Sequence, residues 1–176
     1  MKSVYLLAGA VLFATAHAAN PPAPGNLHAL MKDVVAPQTQ IVWDMGNQAL
    51  NDQGNPDASK LKPADWAKIA AAAGKVKQAS LTLAQAEHAI AAAPGQKIDG
   101  EGNPDAFGAK DVQKVLDANP KLFRAFAQQL AVSMDEVITS TQKKNATQLA
   151  DVSGRLDQVC EQCHLQFWYP NQKAPQ

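Results

Sequence analysis

The sequence predicts an all-α protein, an antiparallel four-helix bundle, and three observations carry that expectation. Its apolar share of 46% leans on alanine, the strongest helix former, while residues that favour strands are thin apart from scattered valine. Four segments repeat apolar side chains at three- and four-residue spacing, the mark of a helix with one buried stripe. The connections between them are dense in proline, glycine and asparagine, and short connections bring consecutive helices back alongside one another. At 176 residues the chain reads as one domain with a sizeable core, residues 20–176, once a leader is set aside.

That leader covers residues 1–19. Lys2 precedes an apolar run from Val4 through Thr15, and Ala16-His17-Ala18-Ala19 offers small residues at A-x-A spacing, so a secretory signal cut near Ala19 or Asn20 is expected. The run falls short of the ~20 apolar residues of a membrane span, so no stable membrane insertion is expected after cleavage. Taking Lys2 from the 16 basic residues leaves 15 against 16 acidic ones. A chain this close to neutral lacks the basic footprint that nucleic-acid binding needs.

Pro21-Pro22-Ala23-Pro24 makes a stiff, non-helical lead-in. The first helix follows, with Leu27, Leu30, Met31, Val34, Val35, Ile41, Val42 and Met45 on one stripe and a kink or restart expected near Ala36-Pro37, because an interior proline removes a backbone donor. Residues 51–62 hold a turn, Gly54-Asn55-Pro56-Asp57, and Pro63 stands where the first residue of a helix tolerates it. The second helix is expected to run to about Ala93, stopped by Pro94-Gly95. Its Ala70-Ala71-Ala72-Ala73 either admits a close neighbour or simply favours helix.

The loop from Gly95 to Gly108 repeats Gly-Asn-Pro-Asp-Ala at Gly102 to Ala106. Asp99, Glu101, Asn103 and Asp105 alternate like calcium ligands, but Pro104 stands where a calcium loop needs glycine and Lys110 where it needs glutamate, so turn chemistry explains both copies. A short helix is expected over Ala109 to Ala118. Asn119 then caps a third long helix that starts at Pro120 and runs to about Lys144, with Leu122, Phe123, Phe126, Leu130, Val137 and Ile138 inward. The fourth starts near Thr147, and its buried stripe is Leu149, Val152, Leu156, Val159, Cys163 and Phe167.

Cys160-Glu161-Gln162-Cys163-His164, at the end of that helix, contains both cysteines of the chain. Thiols three residues apart share a helix face, so both can form thioethers with the vinyl groups of one haem while the adjacent imidazole turns to the iron. Three other uses of the pair compete. A structural zinc wants four ligands, and His17, His28 and His88 stand singly with no further cysteine. A redox dithiol belongs in a βαβ setting, whereas these surroundings are helical. A structural disulfide is the third.

With C-x-x-C-H at the far end of four helices, the chain resembles the class II cytochromes c, the cytochrome c prime family, whose members are four-helix bundles. The resemblance covers residues 20–176 in architecture. Its specific signal lies in Cys160 to Phe167, where Phe167 matches an aromatic common in the family, and more weakly in the first helix. Trp168 departs from it, standing where the family often has Arg or Lys. Family members with an apolar residue over the iron bind small gases, and low-spin members use a methionine of the first helix and transfer electrons. Leu30-Met31-Lys32-Asp33 is similar to that methionine segment.

The resemblance therefore implies haem c anchored by Cys160 and Cys163 near the C-terminus of the last helix, His164 as proximal iron ligand and Met31 as distal ligand. It implies a periplasmic one-electron carrier that serves redox partner proteins, sometimes as a homodimer, and that is not an enzyme. A five-coordinate protein that binds nitric oxide or carbon monoxide is the alternative. Met31 could instead be a core methionine, with His28, Met45 or Met134 in its place. Trp43 and Trp66 are expected to pack where the first two helices connect, His88 to lie at the surface, and Phe167-Trp168-Tyr169-Pro170 to pack on the bundle end or shield a haem edge.

Overall fold

The first helix begins where Asn26 can cap it: its side-chain oxygen accepts from the Ala29 N–H at 3.1 Å. The computed structural model describes residues 25–170, and the predicted signal and proline-rich lead-in lie outside them. Among the described residues the protein is all-α, with two isolated β-bridges and no strand. No helix among them is long and apolar enough to cross a membrane.

One continuous rod comprises α1 (Leu27–Leu30), a π-helical turn (Met31–Val35) and α2 (Ala36–Gln48). The expected disturbance at Pro37 is present, as a π turn just before the proline and not as a restart. The Ala36 N–H reaches back five residues to the Met31 carbonyl, an extra residue per turn that accommodates the missing proline donor.

α3 (Pro63–Gln85) starts on Pro63, and the Asp65 carboxylate accepts from the Lys62 N–H at 2.8 Å. It ends eight residues before the predicted stop at Ala93. Residues 86–93 are alanine-rich, yet their backbone is taken elsewhere: Leu27 N–H donates to Ile90 O at 2.8 Å, His28 N–H to Ala91 O at 2.9 Å, and Ile90 N–H to Gly25 O at 2.8 Å. The Gln113 side chain fastens the same segment, accepting from Ala91 N–H and donating to Ala89 O. Gly25, at φ +85°, lies so close to the His88 carbonyl that a Cβ would sit 3.0 Å from it.

α4 (Ala109–Ala118) matches its predicted span, and α5 (Pro120–Gln142) and α6 (Ala146–Phe167) fall within two residues of theirs. Asn119 does not cap α5 as expected; its side-chain amide donates to Val115 O at 3.1 Å and closes α4. Leu122, placed inward by periodicity, is 40% exposed, whereas Met134, further along α5, is fully buried.

The rod packs on α3 and α6, α3 on α5, and α5 on α6, so the four longest elements close a ring of contacts. The α3–α5 contact is the most extensive. Small residues on α3, with Ala72, Ala73 and Ser80 almost free of exposure, permit that approach. Phe167 ties the end of α6 to α5 through edge-to-face contacts with Phe123 and Phe126, at centroid distances of 5.7 and 6.3 Å.

Candidate functional site

The rod and α6 touch closely at Gly46, where an added Cβ would lie 3.2 Å from the Ser153 hydroxyl. Toward the α1 end they leave a cavity of about 310 Å³ between them. Leu27, His28, Met31, Ala36, Thr39 and Trp43 line it from the rod, and Cys160, Cys163, His164, Phe167 and Trp168 line it from α6. Ile98 of the 95–108 loop and Val112 of α4 complete walls that are mostly apolar. Met31 and Ala36 share the cavity side although they are five residues apart, because the π turn spans five residues where an α turn spans four.

Met31, Cys160, Cys163 and His164 thus converge on one cavity. Met134 is fully buried in the core and Met45 packs at the core margin; neither lines it. His88 is exposed, with Nε2 3.9 Å from the Asp117 carboxylate. Trp43 faces the cavity while Trp66 is buried in the core at 4% exposure. His17 lies outside the described residues.

His28, at the start of the rod, lies in the cavity wall and not in solvent. Both of its ring nitrogens are buried in the cavity wall without a hydrogen-bond partner, as is the Thr39 hydroxyl. An orphaned buried polar group costs about 1–3 kcal/mol, and these are polar atoms that the chain by itself leaves unpaired. His28 and Thr39 belong to a helical stripe beside the core stripe, and the run Leu27/His28, Met31/Lys32, Ala36, Thr39/Gln40, Trp43 was the available signal.

Both cysteines are free thiols. Burial pushes Cys160 up to about 11, with Asp157 and Glu161 adding to it, and pushes Cys163 up to about 12, with Cys160 adding. A working redox dithiol needs the opposite, a stabilised thiolate. Among the described residues no three His, Cys, Asp or Glu side chains gather as a metal cage. Burial also lowers the affinity of His164 for a proton, against an opposing pull from Glu161.

The aromatic residues after the motif hold this end together. Trp168 N–H and Tyr169 N–H both donate to His164 O, at 2.8 and 3.0 Å, turning the chain back over the helix end. The Trp168 indole meets the His164 ring edge-to-face at 5.1 Å and donates from Nε1 to Asp99 O at 3.0 Å. Phe107 N–H donates to Trp168 O at 2.7 Å, so the 95–108 loop is stapled across the cavity mouth. In that loop Glu101 accepts from the N–H groups of Ile98 and Ala109, a structural use of the carboxylate that motif spacing did not reveal. The Tyr169 hydroxyl lies 3.1 Å from His164 Nδ1 and donates to Glu161 Oε2 at 3.2 Å.

An apolar pocket floored by two thiols and one imidazole, with a thioether and a second imidazole on the opposing helix, fits the donor set of a covalently attached haem. No family model matches the chain, and comparison with characterised proteins and with solved structures finds no match either.

Proposed function

We propose that the protein is a periplasmic c-type cytochrome, an antiparallel four-helix bundle similar to the class II cytochromes c, that carries one electron at a time between redox partner proteins. The observation that carries this reading is the convergence of Met31, Cys160, Cys163 and His164 on a single apolar cavity. The ring of contacts among the rod, α3, α5 and α6 supports the bundle architecture.

Cys160 and Cys163 would hold the haem by adding their S–H bonds across its two vinyl groups, and His164 from α6 and Met31 from the rod would supply ligands to its iron. Bound there, the haem supplies an iron that cycles between ferric and ferrous states. The apolar walls would limit water at the iron, and His164 and Met31 together would leave it no open position for substrate chemistry.

The unpartnered nitrogens of His28 favour a second reading, in which His28 takes the distal position in place of Met31. The test is made on the exported, full-length protein. Its haem should survive denaturation and acid-acetone extraction, and Cys160→Ser with Cys163→Ser should abolish that retention; a double mutant that kept its haem would refute the attachment. Met31→Ala should turn a low-spin iron toward high spin, open it to carbon monoxide and lower the potential, while Met45→Ala and Met134→Ala should leave ligation unchanged. If His28→Ala produces the change instead, His28 is the ligand. A parent protein that is already high-spin and rapidly carbonylated is a gas-binding protein.

A further inference from the structure

We propose that Tyr169 and Glu161 form a positioning relay that commits His164 to the iron through Nε2 and raises the preference of that iron for the ferric state. The inference rests on the haem reading and deepens it. Its basis is a count of hydrogens. The Tyr169 hydroxyl has two polar neighbours within hydrogen-bond reach, His164 Nδ1 at 3.1 Å and Glu161 Oε2 at 3.2 Å, and one hydrogen to give. An ionised carboxylate only accepts, so that hydrogen goes to Glu161. The oxygen then accepts, and His164 Nδ1 must carry the donated proton. The tautomer that remains has its lone pair on Nε2, the nitrogen left for a metal.

The chain's local folding holds the three groups together. Glu161 and His164 are separated by three residues on one helix face, and Tyr169 returns to that face because its backbone N–H caps the His164 carbonyl at 3.0 Å. The Trp168 ring against His164, itself anchored to the loop at Asp99, fixes the imidazole plane from another side. A carboxylate connected to a ligating imidazole through hydrogen bonds makes that imidazole a stronger donor, which favours the higher oxidation state of the metal.

The experiment uses the haem-loaded, full-length protein and reads its reduction potential. Tyr169→Phe keeps the ring packing and removes the relay oxygen; it should weaken the ferric preference about tenfold, a rise of about 59 mV for a one-electron couple. Glu161→Gln, which leaves the aromatic packing untouched, should raise the potential by less. Added to Tyr169→Phe it should raise the potential by less than it does alone, because the part of its influence that passes through the hydroxyl is gone. An unmoved potential in Tyr169→Phe, or a Glu161→Gln shift that persists undiminished beside Tyr169→Phe, overturns the relay while leaving the haem assignment intact. A parent protein without covalent haem overturns both.

Discussion

The α3–α5 contact and the rod–α6 contact join helices of one protein, and they are built to opposite rules. Between α3 and α5, Ile69, Ala73, Val76, Met134 and Val137 have no exposed surface, and the buried hydroxyls of Ser80 and Ser140 donate to carbonyls of Val76 and Val137 at 2.8 and 2.7 Å. Nothing polar is left over there. Between the rod and α6, Met31 and Trp43 are only partly buried, and the polar atoms of His28, Thr39 and Ser153 have no partner. One contact is satisfied by the chain alone, whereas the other is short of contacts and hydrogen bonds that a bound group can supply.

The strongest way to break that comparison is to truncate on both sides in haem-free protein. Met134→Ala and Ile69→Ala should each cost on the order of 2–5 kcal/mol, from lost burial plus a cavity, in thermal or denaturant unfolding. Met31→Ala, at the wall of a space already present, should cost about 1 kcal/mol or less. Equal losses would mean that the cavity is closed in solution. Hydroxyl removal gives a finer contrast of opposite sign. Thr39→Val deletes an orphaned group and should stabilise the haem-free protein by about 1 kcal/mol, whereas Ser80→Ala deletes a made hydrogen bond and should destabilise it by a similar amount. A loss of stability in Thr39→Val would show that its hydroxyl has a partner.

The smallest effect concerns reactivity and leaves stability alone. The thiolate is the species that alkylates, and Cys160 is raised from 9.0 to about 11 by its surroundings. In folded, haem-free, reduced protein at pH 8, iodoacetamide should modify Cys160 at least about tenfold more slowly than in the unfolded chain, the scarcer thiolate being partly offset by its greater nucleophilicity. Similar rates in the two states would place the thiols in open solvent and remove the floor of the cavity.

Periodicity and punctuation made much of this legible. The bounds of α4, the starts of α5 and α6, and the placement of Leu149, Val152, Leu156 and Phe167 in the core follow from 3.6-residue spacing and from turn residues, which act within a few positions of themselves. The C-x-x-C-H string was legible as a local pattern on one helix face, whereas Met31 was singled out by the likeness of Leu30-Met31-Lys32-Asp33 to a family segment. Pro37 announced a disturbance because a missing donor is a property of the residue.

What lay out of reach depends on partners distant in the chain. Residues 86–93 have every local reason to be helical, and they are held out of helix by hydrogen bonds to Gly25, Leu27 and His28, some sixty residues earlier in the sequence. That pairing helps fix the rod's first turn and buries the His28 ring nitrogens in the cavity wall, and the chain turning back after Phe167 brings the Tyr169 hydroxyl to His164. Local spacing assigns a residue to a face of its own helix. Which faces meet, how far apart they stand and which polar atoms are left unpaired between them are settled only when the helices pack, because burial and hydrogen bonding are satisfied by whatever lies nearest in space.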